Sequence, residues 1–105
     1  MLYCVEPLEM TEAGKKEFGR MLASYRRHVL KTSQRGAEKY IEKRCGRPVS
    51  FNTISAIERG HRDVDMATLL LFAQAGYGGM SLNEMADVLT DRRLAVCESG
   101  ETYHA

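Results

Sequence analysis

Thr53-Ile54-Ser55-Ala56-Ile57-Glu58-Arg59-Gly60-His61-Arg62, followed by Thr68-Leu69-Leu70-Leu71-Phe72-Ala73, is the stretch on which the fold turns. Ile54 and Ile57 are three residues apart, which puts them on one edge of a helix. Ser50 offers a hydroxyl cap before the segment and Gly60 a stop after it. The spacing predicts a short helix over about 51–59, buried along a narrow edge. Phe51, Asn52, Thr53, Ser55, Ala56 and Arg59 lie off that edge. Small polar residues so placed are presented to something outside the core.

Working outward, the pattern stays helical. Phe18, Met21, Leu22, Tyr25 and Val29 form one stripe of a helix over about 12–30, with Thr11 as its cap. Thr32-Ser33 caps a second helix over about 34–45, carrying Ala37, Tyr40, Ile41 and Cys45. Gly46 ends it, and Pro48 disfavours the α conformation at Arg47. Asp65 can cap a fourth helix with Met66, Leu69, Leu70 and Ala73 on its face, closed by Gly76. After the Gly78-Gly79 joint, Ser81 to Glu84 forms a capping box. It opens a fifth helix over about 82–93, with Leu82, Met85, Ala86 and Leu89 at helical spacing. Leu2 to Val5 and Leu94 to Cys97 tolerate β structure. They could pair with each other, pair across a dimer or continue helices. Residues 1–98 therefore read as a single all-α domain of five helices with short terminal extensions, and 99–105 as a disordered tail.

Composition narrows the function. The 105 residues are 44% hydrophobic and 28% charged, which is globular. No run of 18 apolar residues exists, so no membrane span is expected, and Glu6 and Glu9 argue against a signal peptide. Cys4, Cys45 and Cys97 lack C-x-x-C spacing, so neither zinc nor a disulfide framework is expected and a reducing, cytoplasmic setting is. The formal net charge is only +1, yet residues 15–62 hold 13 Lys/Arg against four acids. The flanks are acidic. A polyanion-binding face on an acidic body has this distribution, and so has a set of solvated helix faces.

Five short helices with a polar third one in a basic segment suggest a helix-turn-helix DNA reader, its motif over about 33–60. The chain also resembles the phage-repressor (Xre-type) helix-turn-helix family. The likeness rests on Thr53 to Arg62 with Thr68 to Ala73 after it, on Ser33-Gln34 and on Phe18-Gly19 through Arg26, and covers about residues 15–90. One departure is plain: Gln34 to Val49 is several residues longer than the family pattern, and Gly46-Arg47-Pro48-Val49-Ser50 replaces a simple Gly-Val-Ser. The resemblance implies a structural ion pair between Glu58 and a first-helix arginine, Arg26 (or Arg27).

A major groove about 12 Å wide admits one helix, and its base edges are told apart by side-chain hydrogen bonds and methyl contacts. The candidate base readers are Ser50, Phe51, Asn52, Thr53, Ser55 and Ala56. Gln34, Arg47, Arg59, His61 and Arg62 are the candidate phosphate contacts. A short helix reads few base pairs, so a homodimer on a palindromic operator is expected, its surface formed by Leu82, Met85, Val88 and Leu89 with help from the segments around Val5 and Val96. No catalytic motif is present, and His28, His61 and His104 have no partner at metal-ligand spacing. No enzyme activity, cofactor or small-molecule ligand is expected. The sequence thus points to a DNA-binding transcription regulator, a repressor, acting on double-stranded DNA. The rival is a non-catalytic protein-binding module, such as an antitoxin or anti-regulator.

Overall fold

Thr11, Ser33, Ser50, Asp65 and Ser81 each turn a side-chain oxygen onto a backbone N–H of the following turn, and a helix begins after each. The structure, a computed structural model, describes residues 9–91. The helices are α1 (Glu12–Ser24), α2 (Gln34–Cys45), α3 (Phe51–Glu58), α4 (Met66–Ala75) and α5 (Leu82–Leu89). No strand occurs among the described residues, and no described helix is long and apolar enough to cross a membrane. The two end runs, the tail, Cys4 and Cys97 lie outside the described residues, as do Val5 and Val96.

The helical course expected to residue 30 is present, but its last six residues, Tyr25–Leu30, widen to a π-helix. Lys31 closes it in the left-handed conformation at φ 54°. Arg26 sits in this widened stretch and is buried.

Helix α5 stops earlier than the predicted 93. The N–H of Thr11 donates to the Leu89 carbonyl at 3.0 Å, and Asp91 turns left-handed at φ 63°. The start of α1 thus sits where α5 would continue. Gly14 makes this approach possible, because a Cβ there would collide with the Leu89 and Val88 carbonyls.

α1 packs on both α3 and α5, α2 packs on α3 and α4, and α4 touches α5. Phe18, Leu22, Ala37, Ile41, Ile54, Phe72, Ala75, Tyr77 and Met85 are fully buried between them. The segment from Gln34 to Val49 is tied to the body at two points. The last turn of α2 sets the Cys45 thiol against the Leu71 carbonyl of α4, and buried Val49 pins the connection to the core.

Candidate functional site

The position of α3 is set from behind. Ile54 and Ile57 enter the core at 0% and 2% exposure. Burying two such side chains contributes roughly 2 kcal/mol each. Gly19 of α1 lies flush against the end of α3, where a Cβ would collide with the Ile57 and Glu58 carbonyls.

Glu58 fixes the same end by charge. Arg26 donates to it at two points, Nε to Oε2 at 2.8 Å and Nη2 to Oε1 at 3.0 Å. Both side chains are less than a tenth exposed. The remaining Arg26 donor, Nη1, reaches the Thr32 carbonyl at 3.0 Å. Gln34 Nε2 donates to Glu58 Oε1, also at 3.0 Å. Hydrogen bonding to Glu58 holds the Arg26 guanidinium further from deprotonation than usual, against the opposing effect of burial. Fork-to-fork pairing with its other groups satisfied is the arrangement in which a buried ion pair is tolerated. It joins the start of the π-helical stretch that follows α1, the start of α2 and the end of α3.

The front of α3 is open. Asn52 is exposed, and Thr53, Ser55 and Ala56 are half-exposed. Ser50 is exposed, though its hydroxyl accepts from the Asn52 N–H at 3.2 Å as the helix cap. Ser55 accepts from Arg59 Nη1 at 2.9 Å. Phe51 is half-buried and stands outside the hydrophobic core. Its N–H donates to Glu38 Oε1 at 3.1 Å, and the Arg35 guanidinium lies over its ring, 4.0 Å from the centroid.

The flanking residues Arg47, Arg59, His61 and Arg62 are all exposed. Lys15, Arg20 and Arg26 are each within ion-pair distance of a carboxylate, whereas Arg35, Arg47, Arg59 and Arg62 are in no ion pair among the described residues. Asp65 is held below its usual carboxylate range, first by hydrogen bonding to Thr68 at the cap of α4 and further by the charge of Arg62, against the opposing effect of burial.

The phosphate contact expected at Gln34 runs through the first-turn amides and its own side chain; of these, the side-chain Nε2 donates inward to Glu58 Oε1, beside Arg26. One expectation is corrected. The dimer surface expected on α5 is not exposed in the folded chain. Met85, Val88 and Leu89 are 0%, 3% and 1% exposed within one chain, and Leu82 is half-buried against the core. The start of α1 covers that face through Gly14 and Thr11. The large apolar side chains exposed among the described residues are instead Val29, Met66 and Leu70.

Two residues at the site escaped the sequence reading, Arg35 and Glu38. Both sit on α2 and engage Phe51 only because α2 and α3 pack together. The available signal was weak: Arg35 adjoins Gln34 and belongs to the basic segment. No metal-binding group of His, Cys, Asp or Glu occurs among the described residues. No family model matches the chain, and neither the curated proteins nor the solved structures contain a match to it.

Proposed function

We propose that this chain is a helix-turn-helix DNA-binding transcription regulator, a repressor that reads a palindromic operator as a homodimer. In this reading α3 enters the major groove with Asn52, Thr53, Ser55 and Ala56 toward the base edges. Arg47, Arg59, His61 and Arg62 hold the phosphates on either side. The observation that carries it is the two-sidedness of α3. Its back is locked by Ile54, Ile57 and the Arg26–Glu58 fork, and its front is left open at Asn52, Thr53, Ser55 and Ala56, flanked by arginines in no ion pair among the described residues.

A rigid polar helix edged with positive charge suits a polyanion carrying hydrogen-bonding groups in a groove. Two copies related by a two-fold axis would place half-sites about 34 Å apart. Since α5 is spent on the core, the surface joining the copies lies elsewhere.

The test is retardation of random duplex DNA at two salt concentrations, followed by selection from a random duplex pool. Wild-type protein should retard all duplexes in a salt-sensitive way and select a palindrome. Asn52→Ala should stay folded and relax preference at one base position per half-site, by about 1–3 kcal/mol. Absence of any salt-sensitive retardation would overturn the reading in favour of a protein-binding module.

A further inference from the structure

We infer that Arg35 and Phe51 form one composite specificity element in which Arg35 reads a guanine, an inference that rests on the DNA-binding reading above. Arg35 is the second residue of α2 and Phe51 the first of α3, so the pair bridges the starts of the two helices. The guanidinium lies 4.0 Å from the ring centroid, well within the reach of a cation–π contact. It is exposed and pairs with no carboxylate among the described residues.

A guanidinium covered on one face by a ring keeps its in-plane N–H donors free, and their fork matches the O6 and N7 acceptors of guanine. The stacking also removes much of the rotamer freedom that a lone surface arginine would lose on binding. Phe51 is itself restrained. Its N–H donates to Glu38 Oε1, which ties the first turn of α3 to the helix that carries Arg35. The Glu38 carboxylate occupies the Phe51 N–H, a first-turn donor of α3 that a phosphate could otherwise take. Phe51 is half-buried and apolar, and the part of it that meets solvent suits the methyl of a thymine beside that guanine.

The experiment compares full-length wild type, Arg35→Ala, Arg35→Lys and Phe51→Leu. Each is measured on the duplex selected from the random pool and on duplexes carrying each other base at every half-site position, over a salt series. Circular dichroism confirms that each variant is folded. Wild type should prefer guanine at one position by about 10- to 100-fold. Arg35→Ala and Arg35→Lys should both lose that preference and keep those at the other positions. Phe51→Leu should weaken it at the same position. A uniform loss of affinity in Arg35→Ala with a salt slope flatter by about 0.9, restored by lysine, would make Arg35 a phosphate contact and overturn the inference alone. Unchanged selection in both Arg35 variants would overturn it as well. A wild type that retards no duplex would overturn the DNA-binding reading, and this inference with it.

Discussion

α3 and α5 are both eight residues long, start from serine caps and carry an apolar edge, yet they are used in opposite ways. α5 turns Met85, Val88 and Leu89 into the core and is sealed by the start of α1. α3 commits Ile54 and Ile57 to the core and Glu58 to the Arg26 fork, and leaves Asn52 exposed with Thr53, Ser55 and Ala56 half-exposed. The difference follows from the neighbours. α5 is packed by α1 and α4, whereas α3 is packed by α1 and α2 from behind. An apolar stripe therefore does not identify a free surface until it is known what packs against it. The helix with the weaker stripe is the one that remains available.

The most severe way to test the contrast is Val88→Asp. On a free dimer face this change would give a folded monomer. At a site 3% exposed it places a carboxylate in the core, and we expect a loss of about 4 kcal/mol or more and no cooperative melting transition. A folded Val88→Asp monomer, measured by sedimentation and circular dichroism, would return α5 to the surface and break the comparison.

Glu58→Ala comes next. It strands the buried Arg26 charge and removes the partner of Gln34, so about 3–5 kcal/mol should be lost in urea unfolding. Wild-type stability in that variant would mean that the back of α3 is held by Ile54 and Ile57 alone.

The smallest effect concerns Tyr77, between α4 and α5, whose hydroxyl is buried with no hydrogen-bond partner among the described residues. Tyr77→Phe should be neutral or stabilising by up to about 1 kcal/mol, since it removes an unsatisfied polar group. Burial, reinforced by the charge of Glu58, pushes the Tyr77 phenol well above the ordinary tyrosine value. The folded state therefore holds this proton more tightly than the unfolded state. The associated stability is complete below about pH 10 and falls as pH rises beyond it. Tyr77→Phe should blunt that alkaline loss in thermal melts taken across the range.

Local signals were legible in the sequence. Each cap is a residue whose own oxygen bonds two or three positions on, so Thr11, Ser33, Ser50, Asp65 and Ser81 announce their helices without help from the rest of the chain. Gly46 and Gly76 announce ends in the same way, at φ 76° and 71°. What stayed hidden is long-range. The Leu89 stop depends on Thr11 arriving from the other end of the fold, and the burial of Val88 on Gly14. The stacking of Arg35 on Phe51 depends on how two helices pack. The π-helical stretch from Tyr25 to Leu30 has no periodic signature in six residues.

The fork at Glu58 has a consequence for the kinetics of recognition. Because one carboxylate binds both Arg26 and Gln34, the start of α2 and the end of α3 are tied to each other within the folded chain, before any partner arrives. The conformational freedom that a floppy reading helix would surrender on contact has already been surrendered during folding. Under the proposed function, the molecule would then approach duplex DNA as a pre-set tool. Its association rate would be governed by charge steering of the basic segment, and discrimination between sites would fall on how long the complex lasts.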